Sequence, residues 1–208
     1  TPLSSFSDGA QVLKVRILDR AGNTGALSPS LTISISTSIP NATTPVLQSA
    51  SDTGRSSSDR VTQRTTPTFS GTGTSGDTIK LFNGNQVLGI SQVVSGSWSI
   101  TVSALTDGSY TLRALVIDDA GNESSFSSGL GITIDTLRPV TPVITGTSLL
   151  SKTTTPAVSG TAEAFANVNV YEGLHLIGTT TADGAGNWTL TASSLTDQSY
   201  SLRASATD

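Results

Sequence analysis

Carboxylates are the side chains in this sequence with the widest chemical scope. Twelve of the fifteen acidic residues are Asp, and they fall at the ends of apolar stretches and in the polar segments between them. Two interpretations fit this distribution. Asp favours turns because its side chain bonds its own backbone, whereas Ca²⁺ takes about six to eight oxygen ligands from carboxylates, carbonyls and water. The pattern of acids across the internal repeats favours calcium.

Most other chemistries lack the side chains they need. The chain has no cysteine, which excludes disulfides, thiolate nucleophiles and sulfur-bound metals. Its one histidine, His175, has no second His or Cys with which to share a metal, so we expect an exposed strand residue. Residues 71–76 match the GxGxxG dinucleotide fingerprint, but a strand follows instead of the required helix. We therefore expect a loop there, and no enzyme.

The net charge and the short apolar runs exclude two classes of partner, nucleic acids and the membrane interior. The net charge is −4 and only 12% of residues are charged, so we expect no nucleic acid. No apolar run approaches the roughly 20 residues of a membrane helix, and residue 1 begins no signal peptide, so we expect no membrane insertion.

The sequence repeats itself. Three stretches, beginning at Asp8, Asp107 and Asp197, align without gaps and are spaced 99 and then 90 residues apart. Such a period indicates tandem domains, as in an excerpt from a longer array. We predict the two C-terminal strands of a truncated repeat in residues 1–43, a complete repeat in 44–141, and a repeat without its final strand in 142–208.

Apolar and polar residues alternate within each repeat, which is the pattern of β-strands. We predict seven strands in the complete repeat, at about 44–50, 67–72, 77–83, 86–93, 96–103, 109–118 and 127–135. Seven short strands with an inward-facing Trp and Tyr predict an all-β fold of tandem immunoglobulin-like sandwiches without a disulfide.

The aromatic residues have alternative roles. Trp98 and Trp188 alternate in phase with Ile100 and Leu190, which predicts core packing, although a sugar-stacking platform is the functional alternative. Tyr110 begins a strand and is either a tyrosine corner or a plain core residue.

A series of short motifs runs through the complete repeat. The motifs are Ser51-Asp-Thr-Gly, Thr66-Pro-Thr-Phe-Ser-Gly-Thr, Gly96-Ser-Trp, Asp107-Gly-Ser-Tyr, Asp118-Asp-Ala-Gly-Asn and Ile132-Thr-Ile-Asp-Thr. Together they resemble the bacterial Ig-like repeat of giant, type I-secreted surface adhesins and biofilm-associated proteins. Each copy repeats part of the series, so the resemblance covers essentially the whole chain.

The acids concentrate where such repeats would join. In an Ig-like sandwich the A–B and E–F loops and the end of strand G lie at the end where a domain finishes, and the F–G loop lies where it begins. Carboxylates facing each other across a junction repel, and a cation resolves the repulsion. The resemblance implies the same, because this family is known for calcium at and near its junctions. The predicted calcium ligands are Asp52, Asp59, Asp107, Asp118, Asp119, Asp135 and Asp208, with Glu163 and Asp8 as further candidates.

The junctions differ in sequence. The first has Ser36 where the second has Asp135, and its linker is two residues longer. We therefore predict that the second junction binds Ca²⁺ and is the stiffer one. Asp118 and Asp119 face the first junction, joined by Asp8, and a weaker site there is the alternative.

The resemblance implies a structural stalk of a secreted adhesin on the bacterial cell surface, in adhesion or biofilm formation. The partners would be neighbouring repeats, with a host or surface ligand bound only by a distal tip outside this sequence. The alternative is a carbohydrate-binding or spacer module appended to an extracellular enzyme, and the flanking sequence would separate the two.

Overall fold

The computed structural model describes residues 5–145 and 151–207, whose regular structure is almost entirely β-sheet. The strands are β1 (Gly9–Leu13), β2 (Leu31–Ile35), β3 (Val46–Leu47), β4 (Val61–Thr62), β5 (Thr68–Thr72), β6 (Thr78–Asn83), β7 (Gln86–Gln92), β8 (Ser97–Thr101), β9 (Gly108–Ile117), β10 (Leu130–Ile134), β11 (Val143–Ile144), β12 (Ala157–Thr161), β13 (Asn167–Glu172), β14 (His175–Thr181), β15 (Asn187–Thr191) and β16 (Leu202–Thr207). A 3₁₀ turn, Ser49–Ser51, follows β3. The all-β class is confirmed.

The chain divides into two compact units. The first comprises Thr1–Thr53 and Ser57–Ile134, and the second comprises Gly54–Ser56 and Asp135–Asp208. The repeat boundaries that the sequence places at residues 43 and 141 stay predictions.

The first unit contains a β-sandwich. One sheet has the strand order β4-β10-β9-β6-β7, and the other has the order β3-β5-β8. Alternate residues point inward from both sheets, so Phe69 on β5 and Leu81 and Leu112 on the larger sheet are fully buried in one core. This is the immunoglobulin-like arrangement that the alternating pattern predicts.

The N-terminal hairpin repeats the last hairpin of the sandwich. Strands β1 and β2 pair Gly9 with Ile35, and β9 and β10 pair Gly108 with Ile134, which are the same positions shifted by 99 residues. Side chains repeat as well, since Ser28 Oγ accepts the Val15 N–H at 3.1 Å and Ser127 Oγ accepts the Ala114 N–H at 2.9 Å. The hairpin of β1 and β2 thus has the same register as β9 and β10, the last strand pair of the sandwich.

The second unit repeats most of the sandwich. Its sheets are β11-β12-β15 and β14-β13-β16, and Val168 and Val170 are fully buried between them. The bulge at Val170 and Tyr171 on β13 matches the bulge at Leu81 and Phe82 on β6. The two units thus share local irregularities as well as strands.

Two strand predictions need correction. The first strand, predicted over residues 44–50, is only Val46–Leu47, because the chain turns into the 3₁₀ segment at Ser49. Strand β4 was not predicted. It lies in the long A–B loop and pairs in parallel with β10, from Val61 to Thr133.

The tyrosine corner is present. The Tyr110 hydroxyl donates to the Thr106 carbonyl oxygen at 2.8 Å, which closes the turn before β9. In the second unit, the Tyr200 hydroxyl accepts the Thr196 N–H at 2.9 Å. The structure therefore favours the corner over the plain core role for Tyr110.

No helix in the described part of the chain has the length and apolar character needed to cross a membrane.

Candidate functional site in the acidic loops

The predicted calcium ligands of the first unit lie in two groups, at opposite ends of the sandwich. Strand β9 runs from Gly108 to Ile117, so Asp107 precedes it and Asp118 follows it. A strand of ten residues spans roughly 30 Å. The aspartates of the E–F loop and the F–G loop therefore cannot share one ion.

Asp52 belongs to the first group and is the most buried predicted ligand. Its side chain is 6% exposed, and Oδ2 accepts the Arg60 N–H at 3.2 Å. Oδ1 is buried without a hydrogen-bond partner. An open cleft of about 400 Å³ is lined by Asp52, Ser57 and Ser58 among others. A buried carboxylate oxygen without a donor is costly unless a donor or cation reaches it.

Asp59 lies in the same A–B loop. Its Oδ1 accepts the Val61 N–H at 3.1 Å, which bends the chain into β4. Because β4 pairs with Thr133 and Ile134, the loop lies beside the last residues of β10. Ile134 pairs in turn with Gly108, the residue after Asp107. The sequence placed the A–B loop, the E–F loop and the end of strand G at one end, and this is confirmed.

The remaining ligands predicted for the second junction have separate surroundings. Asp135 Oδ1 accepts the Leu137 N–H at 3.0 Å, a local turn of the kind that Asp favours. The Glu163 carboxylate accepts the Val140 N–H at 3.4 Å. Asp208 lies outside the described residues.

The second group lies at the opposite end, where the F–G loop meets the B–C loop. Asp77, which the sequence analysis did not select, is 7% exposed and immediately precedes β6. Burial, and then the charges of Asp118 and Asp119, raise the pKa of Asp77. A Cβ atom on Gly76 would lie 2.7 Å from Asp119 Oδ2, so this carboxylate covers the B–C loop.

Asp118 is already engaged in a turn. Its Oδ1 accepts the Ala120 N–H at 3.0 Å and the Asn122 N–H at 2.8 Å, and its Oδ2 accepts the Asn122 side-chain amide at 2.9 Å. The side-chain bond from Asn122, followed by the backbone bonds, lowers the pKa of Asp118. For this residue the turn interpretation has direct geometric support.

These positions only partly fit a metal ion. Among residues 5–145 and 151–207, no three acidic or histidine side chains come close enough together to hold one. Asp52 fits best, because its buried Oδ1 lacks a donor and the residue lines a cleft together with Ser57 and Ser58. Any ion bound there would need its other ligands from main-chain carbonyls and water.

The remaining sequence candidates have structural roles. Trp98 and Trp188 are 4% and 2% exposed, so both are core residues, as predicted. His175 is an exposed residue at the start of β14, as predicted. Residues 73–77 form the loop between β5 and β6, and no helix follows them.

Sequence reasoning missed two residues. Asp77 was missed because its burial depends on how two loops pack. Asn122 was missed as a residue that contacts Ser36 and Asp118. The motif that contains it, Asp-x-Ala-Gly-Asn, is nevertheless visible in the sequence at residues 19–23, 118–122 and 183–187.

The fold and the loops define a β-sandwich domain without a disulfide, of the immunoglobulin-like class. Residues 38–136 match the family described as bacterial Ig-like domain.

Two solved structures are similar over larger parts of the chain. One, described as the BSP domain of a biofilm associated protein, is 17% identical at a TM-score of 0.29, and the match covers 82% of this chain and 27% of that one. The other, the fibronectin(III)-like modules of Clostridium thermocellum CbhA, is 15% identical at a TM-score of 0.40, with 68% and 81% covered. This chain thus spans about a quarter of the biofilm-associated structure. Both TM-scores are too low to bear on fold or function. No curated protein matches the chain.

Proposed function

We propose that this chain is a segment of the stalk of a secreted bacterial surface adhesin. Its Ig-like repeats hold a distal binding tip away from the cell, in adhesion or biofilm formation. The observation that supports this most is the repetition of one strand pair, with the same register, 99 residues apart. A chain built by repeating one domain gains length with each copy.

The dimensions suit this role. Strand β9 has ten residues and spans roughly 30 Å, so each added sandwich lengthens a stalk by at least that order. The work is mechanical and not catalytic. Partners are the neighbouring repeats of the same chain, and any host ligand is bound by the tip.

The tryptophans argue against the sugar-binding alternative. A stacking platform needs an aromatic face open to solvent. Trp98 packs against Gly71 and Trp188 packs against Gly160, each inside a sandwich core. Neither ring therefore offers an open face on which a sugar could stack.

Calcium at the junctions between repeats is part of the proposal. The acids proposed to contribute are Asp52, Asp59, Asp107, Asp118, Asp119, Asp135 and Asp208. Support comes from the unpartnered Oδ1 of Asp52 and from the resemblance to a family with calcium at such junctions. A bound Ca²⁺ would supply positive charge that neutralises neighbouring carboxylates and restrains the domains that share it.

The test is to locate the protein on cells. Antibodies against residues 38–136 are applied to intact cells of the bacterium that makes it, with immunogold detection and antibodies against a cytoplasmic protein as control. We expect label on the outer surface at a distance from the envelope. Label confined to the medium, on a polypeptide that also has a catalytic domain, would favour the spacer alternative.

A further inference from the structure

One five-residue turn occurs three times in this chain. Its pattern is Asp-x-Ala-Gly-Asn, in residues 19–23, 118–122 and 183–187. In each copy Asp Oδ1 accepts the N–H groups two and four residues ahead, at 2.8 to 3.0 Å. The glycine has a positive φ of 93°, 89° and 81° respectively, which explains why glycine occupies that position.

The asparagine side chain completes each turn. Its amide donates to Oδ2 of the same aspartate at 2.8 Å in the first copy and 2.9 Å in the second. In the third copy, a side-chain bond from Asn187 is among the causes that lower the pKa of Asp183. An amide group has two N–H donors, so one is left for another acceptor.

Of these three asparagines, Asn122 is the one whose side chain also donates a hydrogen bond to a residue of the preceding repeat. Its Nδ2 donates to the Ser36 carbonyl oxygen at 3.0 Å. Ser36 follows β2, the last strand of the preceding repeat, and both residues belong to the first unit. Asn122 is half-buried, whereas Asn23 and Asn187 are exposed.

The acceptor is itself held in place. The next residue, Thr37, donates its N–H to Asp8 Oδ2 at 3.1 Å, and its hydroxyl donates to Asp8 Oδ1 at 2.9 Å. Asp8 therefore holds Thr37 by hydrogen bonds, and the carbonyl of the adjacent Ser36 accepts from Asn122. The Asn122 side chain also donates to Asp118. Bonds to charged carboxylates are stronger than neutral ones.

The linker after Thr37 is also anchored. Ala42 packs against the sandwich core, and the Thr43 hydroxyl donates to the Thr72 carbonyl at 3.3 Å. Only residues 38–41 lie between these anchored positions.

We propose that the F–G loop of a complete repeat is a docking element for the preceding repeat. The Asn122 side chain binds the exposed main-chain carbonyl of Ser36, just after the last strand of the preceding repeat. The Asp8 carboxylate holds the segment that carries this carbonyl, and the Asp118 carboxylate holds the Asn122 side chain. The contact itself consists of hydrogen bonds and requires no metal ion. It applies whether the chain is an adhesin stalk or a spacer, so its failure would leave the proposed function standing.

The experiment measures the separation of the two repeats directly. Because the chain has no cysteine, Thr32→Cys and Gln86→Cys place spin labels on exposed sites of β2 and β7 in the full chain. Distance distributions are recorded by pulsed electron resonance in chelator, for the parent and for Asn122→Ala. The matched controls are Asn23→Ala and Asn187→Ala, which lose the same bond within their turns but no bond to Ser36.

We expect one narrow distribution for the parent and both controls, and a broad one for Asn122→Ala. Loss of one hydrogen bond lowers the ratio of docked to undocked chains roughly fivefold. Hydrogen exchange at residues 183–187 in Asn187→Ala shows whether the turn itself survives loss of its asparagine. A broad distribution in the parent, an unchanged one in Asn122→Ala, or equal broadening in a control would overturn the proposal.

Discussion

Gly71 on β5 lies opposite Trp98 on β8, and the indole ring occupies the space that a side chain at residue 71 would need. A Cβ atom on Gly71 would come within 2.7 Å of three atoms of the ring. In the second unit Gly160 and Trp188 have the same relationship. This pair explains why a glycine-rich segment that resembles a nucleotide fingerprint occurs in a sandwich: its first glycine makes room for the core tryptophan.

Gly71→Ala should therefore destabilise the first unit. Overpacking a filled core typically costs about 1 to 3 kcal/mol of unfolding free energy, which urea titration followed by Trp fluorescence measures. Gly131→Ala is the matched control, because it lies in β10 and a Cβ there meets nothing within 4 Å. Equal stability of the two variants would contradict the packing account.

Tyr110→Phe should lower stability more than Thr106→Ala. The hydroxyl of Tyr110 donates to the main-chain oxygen of Thr106 at 2.8 Å and also lies 3.2 Å from the Thr106 hydroxyl, so Thr106→Ala removes only the longer of the two contacts. A net loss of about 1 kcal/mol is expected for the missing hydrogen bond, measured by urea unfolding. If Thr106→Ala is as damaging as Tyr110→Phe, the side chain of Thr106 and not its carbonyl is the important partner.

The excised segment 1–43 should not fold alone. Val15 and Ile17 are 71% and 78% exposed, whereas the equivalent Ala114 and Val116 of the complete repeat are 2% and 3% exposed. A two-stranded hairpin with an uncovered apolar face is marginal in water. Amide exchange by NMR should show no protection in this peptide, and protected amides across β1 and β2 would contradict the expectation.

The stability contributed by the Asp183 turn should depend on pH. Bonds from the Asn187 and Ala185 N–H groups lower the pKa of Asp183 below its ordinary value of 3.8. A group with a lower pKa in the folded state stabilises it above the unfolded pKa, and this is lost as pH falls through the folded value. The parent should therefore exceed Asp183→Asn in urea midpoint at neutral pH, and the difference should shrink towards about pH 2. A constant difference would show that the charge is not involved.

Much of the fold follows from local pattern. The apolar face of Tyr110, Leu112, Ala114 and Val116 predicts β9, and the repeated stretches extend the prediction to the hairpin and the second unit. Strand β4 could not be predicted in this way. It has two residues, and its parallel pairing with β10 is set by how the A–B loop packs.

The candidate site was less predictable because it depends on three-dimensional contacts. The division of the acids between two ends followed from strand direction. The burial of Asp52 and Asp77 did not, since it arises where loops distant in sequence meet. The contact of Asn122 with Ser36 needs the preceding repeat, so no pattern within one repeat reveals it.

The central claim is that the repeats form a stalk that calcium stiffens at its second junction. The most direct test is small-angle scattering of the chain completed to whole repeats at both ends, in calcium and in chelator, with Asp135→Ala as the matched variant. Calcium should increase the maximum dimension of the parent and raise its melting temperature, since binding at a hundred times Kd stabilises by about 2.7 kcal/mol. Asp135→Ala should respond less. Equal dimensions and equal melting of the parent in calcium and chelator would contradict the account, and an unchanged response in Asp135→Ala would contradict the ligand assignment.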